Sequence, residues 1–117
     1  YPADRDLVDG AKRLVSEFRE IDIPIGMRHA LLDTAVDTVR GQGAAIRQMS
    51  FQDFGDAGVR VEIFVDEEAS KRCGEINWAI ADAICERFDH PRLEFLAFLC
   101  RPLQSYHMNG EIISGVR

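Results

Sequence analysis

Residues with catalytic or metal-binding potential occur along the whole of this 117-residue chain, but few stand at spacings that such chemistry requires. Asp53-Phe54-Gly55 has the residue types of the metal-binding triplet of protein kinases. No glycine-rich phosphate loop or H-R-D catalytic loop accompanies it, so its glycine reads as a turn residue. His29, His90 and His107 lie far apart without the H-x-x-x-H spacing that puts two imidazoles on one helix face. Asp53, Asp56, Asp66, Glu67 and Glu68 are dense, yet they lack the alternating oxygen ligands and fixed glycine of a calcium loop. Turn and helix-capping duties account for them.

Nucleophiles fare no better. Ser50 and Ser105 have no G-x-S-x-G elbow, and Gly41-Gln42-Gly43 lacks the third glycine and the preceding strand of a dinucleotide fingerprint. Cys73, Cys85 and Cys100 are odd in number and without C-x-x-C spacing, which fits reduced thiols in a cytoplasmic setting and small buried hydrophobes rather than a disulfide framework. These spacings predict no catalytic residue, no cofactor-binding residue and no metal ligand, since no candidate has a partner at motif distance.

Composition narrows the class. Hydrophobic residues make up 46% and charged residues 29%, ordinary for a globular chain, and the length suits one domain. A formal charge of −6 excludes a dedicated nucleic-acid binder, which needs clustered Lys and Arg. Here the pairs Lys12-Arg13 and Lys71-Arg72 sit among acids on predicted helices and read as solvated faces. No apolar run approaches the roughly 20 residues of a membrane span. The start at Tyr1, without methionine, fits a mature product or an excised piece of a longer chain.

The elements that must position these residues follow from periodicity. Asp4 as N-cap, then Leu7, Val8, Ala11, Leu14, Val15 and Phe18, predicts a helix over residues 4–20. Pro24 reads as a break. Met27, Ala30, Leu31, Thr34 and Ala35 predict a second helix ending near Arg40, with Gly41 and Gly43 at its C-terminal cap. Strand patterns over 44–54 and 59–65 flank turn chemistry at 55–58, a β-hairpin. Asp66 as N-cap, with Glu67 and Glu68 in the first turn, opens a third helix whose apolar stripe is Cys73, Ile76, Ala79, Ile80, Ala83, Ile84 and Phe88. A short apolar strand over 93–99 ends at Pro102. Residues 1–103 thus form one α+β domain and 104–117 a polar tail in which Ile112 and Ile113 add a short strand. Helices on one face of an antiparallel sheet make a ferredoxin-like sandwich, and a strand ahead of Tyr1 would complete its β-α-β-β-α-β order.

Residues 51–65, Phe51 through Val65, resemble the strand-turn-strand of the C-terminal cytosolic domain of the small-conductance mechanosensitive ion channel family. Its turn reads roughly F-G-D-S-[GS]-[VL], against Phe54 to Val59 here. Ile76 and Ile80 stand at that family's I-x-x-A-I, a strand follows near residues 93–98, and Tyr1 and Asp4 resemble its Y-x-x-D. Residues 23–43 are a longer helical stretch than the family's usual link, and Leu99-Cys100-Arg101 stands where members have P-Q-R. The resemblance implies a non-enzymatic domain on the cytosolic side of the cell membrane that assembles into a ring and walls a vestibule below a pore. An acidic ring of this kind biases local cation concentration through its summed field.

Two other classes share the fold grammar: a regulatory module binding a small metabolite at a dimer interface, and a small cofactor-free enzyme. For self-association the candidate contacts are Trp78, which breaks the third helix's stripe, the strand residues Leu93, Phe95, Ala97 and Leu99, and Ile112 and Ile113.

Overall fold

The computed structural model describes residues 2–18, 21–55, 58–93, 95–103 and 111–114. Asp56, Glu94, Ser105, His107 and most of the predicted tail lie outside the described residues, and β4 below is described for its backbone alone. The chain is α+β, with helices on a four-stranded sheet.

α1 (Pro2–Glu17) buries Leu7, Ala11 and Val15, one per helical turn. Its start lies ahead of the predicted cap, so Asp4 falls inside the first turn. α2 (Ile25–Gly41) buries Leu31, Leu32, Ala35, Val36 and Val39. Pro24, predicted as a break, is also the residue from which α2 begins. Its ring fixes an extended entry (φ −56°, ψ 146°), and its carbonyl accepts the Arg28 N–H at 3.0 Å. Gly43, at φ 81°, turns the chain out of α2 in the left-handed conformation that glycine adopts freely.

The predicted hairpin is present as β1 (Ile46–Asp53) and β2 (Val59–Val65), paired antiparallel from Asp53↔Val59 to Ile46↔Val65 with an irregularity between Ile46 and Gln48. Its turn explains the kinase-like triplet. The Asp53 carboxylate accepts the Gly55 N–H at 2.8 Å, and Phe54 N–H donates to the Gly58 carbonyl at 2.8 Å. Gly55 and Gly58 both have positive φ.

The third predicted helix is two helices, α3 (Glu67–Ser70) and α4 (Cys73–Arg87). Asp66 stands at the N-cap position but its side chain makes no cap bond. Instead its carboxylate accepts the Ala45 N–H at 3.1 Å while its own N–H donates to the Ala45 carbonyl at 3.1 Å, tying α3 to the start of β1. Arg72 marks the break, donating to the Gln42 carbonyl at the end of α2.

β3 (Leu96–Pro102) begins three residues later than the pattern predicts. Arg92, with φ 54°, starts a turn in which its carbonyl accepts N–H groups of Phe95 and Leu96, and this delays the strand. Pro102, expected to stop the strand from beyond its end, is the last residue of β3, a place an edge strand tolerates because no N–H is needed there.

The sheet order is β3-β2-β1-β4, where β4 is Glu111–Ser114, antiparallel to β1. The pairing β2–β3 is parallel, so the sheet is mixed rather than antiparallel throughout as the sequence predicts. The cause is topological. The crossover through α3 and α4 returns the chain to the end of the sheet from which β2 set out, so β3 runs beside β2 in the same direction. One sheet face carries Met49, Phe51, Val59, Val61, Ile63, Val65, Leu96 and Cys100 into the core with the helices. Phe18 and Phe51 meet there with ring centroids 6.5 Å apart.

Candidate functional site

Side chains alternate between faces along a strand, so residues between the core positions project from the face away from the helices. Ser50 and Glu62 are direct cross-strand partners on that face, as are Gln52 and Arg60. Glu62 is fully buried. One carboxylate oxygen, Oε2, accepts from Arg101 Nη1 at 2.7 Å, and Oε1 lies 4.0 Å from Arg60 Nη2. Arg60 in turn donates to Gln52 Oε1 at 2.8 Å and sits over the Phe54 ring, 5.3 Å from its centroid. The guanidinium side chains of Arg60 and Arg101 remain 37% and 33% exposed, so a carboxylate with no solvent contact is flanked by two cations that solvent reaches.

Among the described residues, Ser50 Oγ, Arg60 Nε and Glu62 Oε1 are buried atoms of this cluster without a hydrogen-bond partner. Buried polar atoms are nearly always paired, so these three stand apart from the other buried polar groups. Together they offer a hydroxyl, a donor and an acceptor. That set complements a group carrying a donor beside an acceptor, such as a carboxamide or a hydroxyl. Sequence reasoning missed the cluster because Arg60 and Glu62 sit at the outward positions of an alternating strand, where a carboxylate reads as solvated.

The predicted contact residues separate. Trp78 is 74% exposed on α4, between buried Ile76 and Ile80. Leu93, Phe95, Ala97 and Leu99 are half-buried along or just ahead of β3, one edge of the sheet. Ile112 and Ile113 belong to β4 at the other edge, opposite Ser50 and Met49 in register. The β3 edge is not bare. The Asn77 side chain accepts the Cys100 N–H at 2.6 Å and donates to the Cys100 carbonyl at 3.1 Å, standing in for a neighbouring strand.

Other candidates have structural duties. His29 Nε2 is 2.7 Å from Ser16 Oγ and 3.2 Å from the Lys12 carbonyl, joining α2 to α1 beside the Lys12–Asp33 ion pair. Between α2 and α4 lies a groove of about 250 Å³ lined by Thr34, Asp37, Thr38, Ala83, Glu86 and Arg87. Its threonine hydroxyls donate to carbonyls of their own helix. Cys73 and Cys100 meet with sulfurs 3.6 Å apart, whereas Cys85 is exposed. Among the described residues, no group of three or more His, Cys, Asp or Glu could hold a metal ion, and no helix is long and apolar enough to cross a membrane. Compared with known proteins, the chain matches no family model, no curated protein and no solved structure.

Proposed function

We propose that this domain is a non-enzymatic assembly unit in the cytosolic part of a small-conductance mechanosensitive channel, several copies of which wall a vestibule below the pore. The observation that supports this reading is that three of the segments carrying the resemblance form the hairpin, helix and strand that it implies, in that order. Phe54 and Val59 bracket the β1–β2 turn, Ile76 and Ile80 face the core from α4, and β3 follows as the neighbour of β2. The outward Trp78 supplies a large apolar surface that a second copy would cover. The work of such a unit is association and electrostatic biasing of ions near a pore, which an overall charge of −6 suits for cations. The reading requires a gene that encodes apolar spans of roughly 20 residues together with this domain, and stretch-activated current in membranes that express the whole product. A gene without such spans overturns it.

A ligand-binding regulatory module is the second reading, favoured by the unpartnered atoms of Ser50, Arg60 and Glu62. It requires saturable, stoichiometric binding of a small polar compound that Glu62→Gln abolishes while the fold persists. A screen of amide- and hydroxyl-bearing metabolites by thermal shift, without a hit that depends on Glu62, contradicts it.

A further inference from the structure

Cys73 opens α4 and Cys100 lies near the end of β3, so the two thiols belong to different elements and are 27 residues apart in sequence. Their sulfurs are nonetheless 3.6 Å apart. The approach is fixed rather than incidental. Asn77, one helical turn beyond Cys73, holds both backbone groups of Cys100, so the segment bearing one thiol is fastened to the residue bearing the other. Exposure is asymmetric, with Cys73 half-buried and Cys100 buried.

We propose that Cys73 and Cys100 are a site of reversible oxidative modification, closing to a disulfide that pins the start of α4 to the edge strand β3 when the protein meets a low-molecular-weight disulfide. The two sulfurs must close from 3.6 Å to about 2.05 Å, a movement that side-chain rotation supplies in part and a small shift of α4's first turn completes.

The steps balance with glutathione disulfide as the oxidant. The Cys73 thiolate attacks one sulfur of glutathione disulfide, forming a Cys73–glutathione bond and releasing one glutathione thiolate, which takes up a proton. The Cys100 sulfur then attacks Cys73 Sγ. The Cys73–Cys100 bond forms, the bond to glutathione breaks, and the proton from Cys100 passes to the departing thiolate. Two electrons move from the protein thiols to the oxidant, which leaves as two glutathione molecules.

The order of attack follows from the surroundings of Cys100. Its burial and then the Cys73 contact push its pKa up to about 12, so it keeps its proton while Cys73, the more accessible sulfur, reacts first. A high-pKa thiol is also a poor leaving group. External thiols that attack the finished disulfide at accessible Cys73 must expel Cys100, so reduction is slow compared with that of a disulfide between two exposed cysteines.

The test uses the unsubstituted 117-residue chain equilibrated with graded ratios of glutathione disulfide to glutathione, quenched with acid and alkylated. Chymotryptic cleavage after Trp78 separates Cys73 from Cys85 before mass analysis. The expected result is a peptide pair joined through Cys73 and Cys100 that accumulates with the oxidant ratio and is lost on treatment with dithiothreitol, while Cys85 carries at most glutathione. In Cys100→Ser, Cys73 should stop at the mixed disulfide, and in Cys85→Ser the cross-link should form as in the unsubstituted chain. Recovery of Cys73 only as a free thiol or mixed disulfide at the most oxidising ratio, with Cys100 unmodified, overturns the proposal.

Discussion

The side-chain amide of Asn77 pairs with both the N–H and the carbonyl of Cys100, so a helix residue completes the hydrogen bonding of an edge strand. Two polar backbone groups that would otherwise face the open edge are satisfied inside the chain. Asn77→Ala should lower stability by about 1 to 3 kcal/mol, the cost of leaving such groups unmet. Asn77→Asp keeps the acceptor for the Cys100 N–H but turns a lone pair toward the carbonyl, and should be no more stable than the alanine variant. Urea unfolding midpoints decide this, and a wild-type midpoint for Asn77→Asp would contradict the two-sided pairing.

Arg28 is the second point on which the fold leans. Its guanidinium donates to the carbonyls of Val15, Phe18, Ile21 and Ile23, all within 2.8 Å, closing the end of α1 and the link into α2 with one side chain. Burial lowers its pKa from the ordinary guanidinium value, and the four carbonyl acceptors and the end of the α1 dipole offset that cost. Arg28→Met should destabilise by about 3 kcal/mol or more, because charge-assisted bonds are lost and buried carbonyls are left unpaired. Lysine has three donors on one atom and cannot reproduce a planar fork, so Arg28→Lys should recover less than half of the loss. Circular dichroism during urea titration measures both variants, and equal midpoints for lysine and arginine would contradict this role.

Cys100 makes stability depend on pH on the alkaline side. Its pKa rises from 9.0 to about 12 in the fold, through burial first and the Cys73 contact second. The folded state therefore keeps a proton that the unfolded chain releases above about pH 9, and the contribution is whole below that point and lost as pH climbs toward 12. Under reducing conditions the stability of the wild type should fall more steeply over this range than that of Cys100→Ala. Parallel slopes would contradict the assignment, since other alkaline titrations are common to both proteins.

The parts of this fold that repeat along the sequence were legible there, and the parts set by distant partners were not. Alternation from Val59 to Val65 and the glycines of the turn located the hairpin, because strand period and turn chemistry are local properties. The break at Arg72 falls just ahead of the apolar stripe, with no glycine or proline between α3 and α4 to signal it; the Arg72 bond to Gln42, 30 residues away, is a contact that local pattern does not show. The parallel β2–β3 pairing was hidden for a similar reason: periodicity gives a strand's faces but not its neighbours. In the candidate site, Glu62 looked like one more outward polar residue. Its burial and its bond to Arg101, 39 residues later, are tertiary properties that strand alternation does not show. Arg28 and the Cys73–Cys100 pair were invisible for the same cause, as neither has a motif spacing.

Assembly is the claim on which the functional reading rests, and native mass spectrometry of the chain across a wide concentration range tests it most directly. A closed ring of one stoichiometry is expected, which Trp78→Ala weakens at least tenfold in concentration, the equivalent of about 1.4 kcal/mol, while leaving the urea midpoint of the monomer unchanged because Trp78 is largely outside the core. A strictly monomeric mass at every concentration, or an assembly indifferent to Trp78, would contradict it.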